Sequence, residues 1–471
     1  MSPPLVALLA DSESGPARAN CHKAAKKWQL QQLNARQSAR ITQRSSRHGL
    51  CSLPAMNSLW PRTMLVCATL TSACGDDVSA GAGGSGGSAT ATGGTTNTGG
   101  NGAGGTAGQD TGGQGTGGQV TGGASSTGGA GGGPDPECEA LGVTLQNAID
   151  QHYANPPQSP GGASIAVISG SCRWVGAVGE AHTGQPMTPD HLLRVASVTK
   201  TYVAATLLAL ADEGALGLDD TLDNYVPGLP DGDLITVRMV LNHTSGIFDY
   251  ATDMAFWQQA LAQPNTALTP QSLVDVATSQ PAYFAPGEGW GYSNTGFILA
   301  GMVIEAVTQT TVGEAIRART FDVAGLDQTF FAAEEQIPTP LATGFGAQGE
   351  DVTNALHPSV NWTAGSVVAT AGDLADWAEA LYAGQVLPAA SLTEMLVPTP
   401  TGDAGKSYGL GAFLYDSVGN ISPGVGHNGK LPGYHTNMLY LQNDGTVVVQ
   451  LVNSDAGKNY TGVLLAALYS L

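Results

Sequence analysis

Lysine and arginine are scarce in this 471-residue chain, 18 against 38 acidic residues, for a net charge of −20. The shortage is uneven. Residues 1–73 hold 9 of the basic side chains and only two acids, Asp11 and Glu13; residues 74–471 hold 9 basic and 36 acidic side chains. A body this acidic repels nucleic acid and anionic membrane surfaces, so a nucleic-acid partner is excluded. Long apolar runs are missing too. The apolar stretch at 64–73 is too short to span a membrane stably. Residues 75–133 are dominated by Gly, Thr, Ser and Ala and lack the apolar content to bury a core, which predicts a disordered linker.

What remains, about residues 136–471, suffices for one sizeable core, or a core with a subdomain. Residues 1–55 are basic and polar with no sustained apolar period, and read as an upstream leader that does not belong to the working protein. Met56, Arg62 and the apolar stretch at 64–73 have the layout of a signal peptide over 56–73. Cys74 follows Leu70-Thr71-Ser72-Ala73, which resembles the lipobox of bacterial lipoproteins, with Thr71 where an aliphatic residue is preferred. Lipidation at Cys74 would leave residues 74–135 as a tether, with a reach of roughly 40–45 Å for about 60 flexible residues. The expected location is therefore exported and lipid-anchored to the bacterial envelope, with the anchor as the one membrane contact. Cys138 and Cys172 are then the two cysteines left in the body, and an even pair in an exported domain predicts a disulfide.

Apolar spacing predicts a helix over 139–152, strands over 163–168 and 173–178, and a long helix from Ser197 to Glu213. Helices are expected at 235–241, 271–277, 295–307 and 312–319. Strands return at 409–414, 434–441 and 446–452, the last two joined by the hairpin turn Asn443-Asp444-Gly445, and 462–471 closes the chain as a helix. Strands at both ends and helices between predict an α/β fold: one sheet built from both ends, with an inserted helical subdomain and a cleft between them.

Three short motifs carry chemistry. In Ser197-Val198-Thr199-Lys200 the hydroxyl and the amine share one helix face. A desolvated lysine can take the serine proton, and backbone N–H groups at a helix start favour an oxyanion. Lys200 is one of only four lysines after residue 73, with Lys406, Lys430 and Lys458. Tyr292-Ser293-Asn294 supplies a phenol whose pKa a nearby ammonium can lower, and an amide able to hold Lys200 and a substrate amide. His427-Asn428-Gly429-Lys430 precedes the last hairpin. There a strand edge could pair with an extended substrate, Gly429 would allow close approach, and the Lys430 N–H would complete an oxyanion hole with that of Ser197. Each motif also has a plainer reading: a solvated Ser–Lys helix face, a half-buried aromatic and a helix cap, a loop histidine. Tyr153-Ala154-Asn155 and His182-Thr183-Gly184 repeat the second and third spacings.

In order, the three motifs resemble the SxxK, YxN and HxG signatures of the penicillin-recognising serine enzymes. That order selects 292–294 and 427–429 over the two repeats. Arg194-Val195-Ala196, Leu241-Asn242-His243-Thr244-Ser245-Gly246, residues 365–373 and Tyr408-Gly409-Leu410-Gly411 look like the same family. Within it the chain is most similar to the secreted D-alanyl-D-alanine carboxypeptidases, the class C β-lactamase-like branch. The resemblance covers about 139–471. It implies a β-lactamase/transpeptidase-like antiparallel sheet flanked by helices with an inserted all-α subdomain, and an acyl-enzyme mechanism. Ser197 would attack, with Lys200, Tyr292 and Asn294 catalytic and His427, Asn428, Gly429 and Lys430 binding substrate. It implies no metal and no cofactor. Partners would be a peptidoglycan stem peptide or similar acyl substrate, with β-lactams as covalent ligands. Where the carboxypeptidases have a threonine after HxG and a nearby arginine, this chain has Lys430 and no arginine in Phe413-Leu414-Tyr415, so Lys430 is expected to take over the carboxylate site. Esterase, D-amino-acid peptidase and β-lactamase activities are the enzymatic alternatives. A tethered wall-binding or β-lactam-sensing protein is the non-enzymatic one.

Overall fold

The computed structural model describes residues 135–154, 160–338 and 341–470, together with the strand Ala124–Ser126. All of these fall in the second of two compact units, Trp60–Leu471. The leader at 1–55, the signal segment at 56–73 and Cys74 lie outside the described residues.

Thirteen strands are defined among the described residues: β1 (Ala124–Ser126), β2 (Gly162–Ser169), β3 (Cys172–His182), β4 (Gln185–Pro186), β5 (Leu193–Arg194), β6 (Thr329–Phe331), β7 (Val367–Ala369), β8 (Thr399–Pro400), β9 (Lys406–Tyr408), β10 (Phe413–Val418), β11 (Ser422–Leu431), β12 (Tyr434–Leu441) and β13 (Val447–Val452). The main antiparallel sheet runs β1-β3-β2-β13-β12-β11-β10-β9-β8. Strand β2 from the start of the chain pairs with β13 from its end, Ala163 opposite Val452 and Ile168 opposite Val447. The sheet is thus closed from both termini of the domain.

The central strands are apolar on both faces, as a strand covered on both sides must be. Ala163, Ile165 and Val167 join one apolar cluster and Ala166 and Ile168 another. The first cluster is roofed by the helices α1 (Pro136–Tyr153) and α10 (Thr461–Tyr469) through Leu145, Ile149, Leu464 and Leu465. The second is covered by α2 (Thr199–Asp212) and α8 (Ala371–Tyr382), and continues into α3 (Val237–Leu241), α4 (Met254–Ala262), α5 (Pro270–Thr278), α6 (Asn294–Thr308) and α7 (Val312–Ile316). Those five helices are the inserted subdomain; α9 (Ala389–Met395) leads back to the sheet. Gln450 secures α10 by accepting from the backbone N–H groups of Tyr460 and Thr461 at 2.6 and 3.1 Å. A disulfide joins Cys138 on α1 to Cys172 at the start of β3, with Cα atoms 5.2 Å apart.

Three expectations need correction. The stretch expected to be a disordered linker contributes β1, whose Ala124, Ser125 and Ser126 pair with Trp174, Arg173 and Cys172. The unpaired N–H and C=O groups along the outer edge of β3 are a template for such an added strand. The strand expected at 409–414 begins only at Phe413: residues 409–412 are a tight turn between β9 and β10, closed by Gly409 N–H donating to the Ala412 carbonyl at 2.8 Å. Gly411 in that turn has φ +80°, and a β-carbon there would lie 2.8 Å from the Lys200 carbonyl oxygen, so the turn packs on the backbone of α2. Finally, Ser197 is not inside the long helix: Ala196–Val198 form a 3-10 turn and the α-helix begins at Thr199.

Candidate active site

The turn carrying Ser197 is unusual. Ala196 has φ +51°, a left-handed conformation that costs a non-glycine residue about 1–2 kcal/mol. Strand β11 lies directly against it. A β-carbon on Gly429 would strike the Val195 carbonyl oxygen, and would sit 2.9 Å from Ala196 Cβ and 3.1 Å from Ser197 N. Only a glycine lets β11 pass this close to the Ser197 backbone.

Lys200, one turn along α2, is fully buried. Its Nζ lies 3.2 Å from Ser197 Oγ and donates to Asn294 Oδ1 and the Ala364 carbonyl, each at 2.8 Å. It also stands 5.0 Å from the centre of the Tyr292 ring. Residues 94 positions apart in sequence, on α2 and at the start of α6, therefore meet around one amine. Burial pulls the Lys200 ammonium down to about 7, with the charge of Asp249 acting the other way. Near neutral pH a large fraction of this amine is free to accept a proton.

Asp249 was not foreseen from the sequence. It is buried, its Oδ2 accepts from Asn294 Nδ2 and its Oδ1 from the Asn294 and Ala251 backbone N–H groups, all at 3.1 Å. Because the Asn294 amide nitrogen is committed to Asp249, its oxygen must face Lys200. Burial raises the Asp249 carboxyl to about 6, against hydrogen bonds from Ala251 and Asn294 and the charge of Lys200. The one hint in the sequence is its place just past residues 241–246.

His427 lies on β11, buried, and is not a loop histidine. Its Nδ1 donates to the Asn428 carbonyl at 2.6 Å, so its Nε2 is the acceptor for the Tyr408 hydroxyl at 3.0 Å. Burial, with Lys200 and Lys406 adding to it against the Asn428 carbonyl, holds this imidazole neutral by lowering its pKa to about 3. Tyr292 packs among His243, Tyr408, Phe413 and His427, with ring centres 4.3 to 6.4 Å away. His243, from the 241–246 segment, takes φ +64° and accepts at Nδ1 from the Ser293 backbone N–H at 3.2 Å, which fixes the 292–294 turn.

Alternation along β11 puts Val425, His427, Gly429 and Leu431 on the face towards Ser197, and Asn428 and Lys430 on the other. Asn428 is exposed and Lys430 half-buried. On one side β11 pairs with β12 as far as Leu431. On the other, β10 begins at Phe413 opposite Gly426, so, among the described residues, 427–431 have no strand partner there. The free edge beside Ser197 can accept an extended chain as an added strand.

A serine hydroxyl 3.2 Å from a buried lysine amine, beside an open strand edge, is the arrangement that serine acyl transfer requires. Residues 149–468 match the family model described as Beta-lactamase, and the chain belongs to that family. Among its relatives, penicillin-binding protein 4* of Bacillus subtilis (strain 168) is 28% identical over 302 residues, covering 60% of this chain and 65% of that protein. Esterase EstB of Burkholderia gladioli is 32% identical over 223 residues, covering 44% of this chain and 56% of the esterase. The chain thus spans less than two thirds of either relative. A D-stereospecific amidohydrolase from Streptomyces sp. superposes with a TM-score of 0.63 at 30% identity, over 70% of this chain and 99% of that one. The antiparallel sheet with its flanking helices is the β-lactamase-like fold of these hydrolases.

Proposed function

We propose that this member of the β-lactamase-like serine hydrolases is a D-Ala-D-Ala carboxypeptidase working through an acyl-enzyme on peptidoglycan-type peptides. The observation that carries the reading is the buried Lys200 amine, 3.2 Å from Ser197 Oγ and oriented by Asn294. Ser197 Oγ attacks the penultimate D-Ala carbonyl, and the N–H groups of Ser197 and Lys430 receive the oxyanion. The C–N bond breaks, and the proton taken from Ser197 passes through Lys200 and Tyr292 to the departing amine. Water then releases the acyl group. His427, Asn428 and Gly429 form the strand edge along which the peptide lies, and the Lys430 ammonium meets its terminal carboxylate. The same centre would be acylated by β-lactams. Lipidation at Cys74 would hold the enzyme at the bacterial envelope, facing its polymer.

The test is D-Ala release from a diacetyl-Lys-D-Ala-D-Ala peptide set against nitrocefin turnover. Release of D-Ala, lost in Ser197→Ala, is expected; rapid nitrocefin turnover without release would make the protein a β-lactamase. A relative named as an esterase favours a second reading, hydrolysis of uncharged esters at the same serine. An unchanged KM for a free-carboxylate peptide in Lys430→Ala would remove Lys430 from the carboxylate site.

A further inference from the structure

Tyr292 is held on both of its sequence sides by one residue. The Gly291 N–H donates to the His243 carbonyl at 3.0 Å, and the Ser293 N–H donates to His243 Nδ1 at 3.2 Å. The imidazole also lies tilted against the Tyr292 ring, with centres 4.3 Å apart. Two more bonds extend the contact along the chain: Gly287 N–H to the Thr244 carbonyl at 2.9 Å, and Tyr283 N–H to the Gly246 carbonyl at 2.8 Å. Residues 243–246 are thus a rail on which the approach to Tyr292, residues 283–291, is laid. Gly246 allows the fit: it has φ +73°, and a β-carbon there would strike the Phe284 carbonyl oxygen.

His243 carries two features that folding alone disfavours. Its φ of +64° is a left-handed conformation, costly for a residue with a β-carbon. Because Nδ1 accepts, the neutral ring keeps its proton on Nε2, and that buried N–H has no hydrogen-bond partner among the described residues. Burial, with Lys200 and His427 adding to it, lowers the imidazole's pKa well below its ordinary value, which keeps Nδ1 an acceptor. Tyr408, Phe297 and Trp290 close around the same ring, with centres 4.5, 5.5 and 6.0 Å away. An apolar side chain would fill this box without an orphaned N–H; what it could not do is accept from Ser293. Strain and an unpaired buried donor concentrate at functional sites.

The placement of the phenol matters more for some leaving groups than for others. When Ser197 is acylated, the acyl–oxygen bond forms and the bond to the departing atom breaks. A departing amine must be handed a proton as that bond breaks, because an amide anion is too basic to leave. A thiolate, whose thiol has a pKa of about 8.5, leaves without one. We propose that His243 is the positioning residue that holds Tyr292 as proton donor to the departing atom, and that this clamp equips the centre for amide and peptide substrates. Activated acyl donors such as thioesters react without it. The inference rests on the acyl-transfer reading of Ser197 and narrows its substrate class to C–N bonds.

The probes are diacetyl-Lys-D-Ala-D-Ala and its thioester counterpart diacetyl-Lys-D-Ala-D-thiolactate, which differ only in the departing atom, nitrogen or sulfur. Both give the same acyl-enzyme, so kcat/KM compares the acylation steps. His243→Phe keeps a ring against Tyr292 and removes the acceptor for Ser293. In the full chain it should lower kcat/KM for the peptide about a hundredfold and for the thioester by less than about tenfold. His243→Asn tolerates the left-handed backbone and offers an amide oxygen close to the place of Nδ1, so it should recover most of the peptide rate. In a Tyr292→Phe background His243→Phe should cause no further loss on the peptide, because it acts through the phenol. Equal losses on the two probes, additive losses in the double variant, or no rescue by His243→Asn overturns the proposal. If His243→Phe does not fold, His243→Asn decides: a peptide-to-thioester ratio more than about tenfold below the wild type overturns it. A wild type that cleaves the thioester and not the peptide overturns it too, since its clamp is intact. No cleavage of either probe, with no penicillin label on Ser197, would instead sink the acyl-transfer reading.

Discussion

Asn294 is turned by Asp249: its Nδ2 donates to Asp249 Oδ2 at 3.1 Å, which leaves Oδ1 to accept from Lys200 at 2.8 Å. The reactive amine is thereby placed by a carboxylate that never touches it through a direct hydrogen bond, while the charge of that carboxylate still raises the lysine's pKa.

Asp249→Asn keeps an acceptor for the Asn294 amide and removes the charge. Without that charge the Lys200 pKa falls further below about 7. The rate of Ser197 acylation with an uncharged substrate, followed from pH 5 to 9, should rise along a limb near 7 in the wild type. In Asp249→Asn the limb should move to lower pH. An unshifted limb would show that Asp249 does not act on Lys200 electrostatically.

The same lysine makes a stability prediction with a definite sign. An unfolded chain keeps its lysine proton up to about 10.4, whereas the native amine releases it near 7. Between these values unfolding takes up a proton, so this group makes stability rise with pH across the window. Lys200→Met should flatten that rise in denaturant unfolding measured at pH 7, 8.5 and 10.

Gly429→Ala puts a methyl group where β11 meets the Val195 carbonyl and the Ser197 backbone. Overpacking of this kind costs about 1–3 kcal/mol. Displacing the Ser197 turn by an ångström should slow acylation by about a hundredfold. A melting curve together with the acylation rate separates the two effects. A variant that acylates at the wild-type rate would mean that β11 does not set the nucleophile's position.

Tyr292→Phe removes the hydroxyl and keeps the ring that packs against Phe413 and His243. Acylation should fall by about 10²–10⁴, the usual contribution of a positioned acid–base group. A loss below tenfold would leave Lys200 as the sole proton handler.

Reduction of Cys138–Cys172 frees α1 from β3 across a sequence separation of 34 residues. Stability should drop by about 2–4 kcal/mol in denaturant titrations with and without reductant. Because α1 packs on the sheet face opposite α2, Ser197 labelling at low temperature should persist.

Elements with a strong local pattern could be read directly from the sequence. The strand expected at 434–441 is β12 to the residue, and Asn443-Asp444-Gly445 forms the turn after it, with Gly445 at φ +75°. The Ser197, Lys200 and Asn294 cluster could be inferred because motif order and scarcity of lysine singled it out. The rest depended on tertiary contacts. Gly411 broke the expected strand at 409–414 because its backbone packs on Lys200. Ser197 left the helix for a 3-10 turn because Ala196 is held at positive φ. Asp249 stood in no motif: it acts through an amide 45 residues away.

The central claim is an ester at one hydroxyl. Intact-protein mass spectrometry followed by peptide mapping, after brief exposure to a penicillin, tests it most directly. The account predicts one added penicilloyl mass, mapped to Ser197 and absent in Ser197→Ala. An adduct on another residue, or an unmodified Ser197 in a folded wild-type protein, would contradict it.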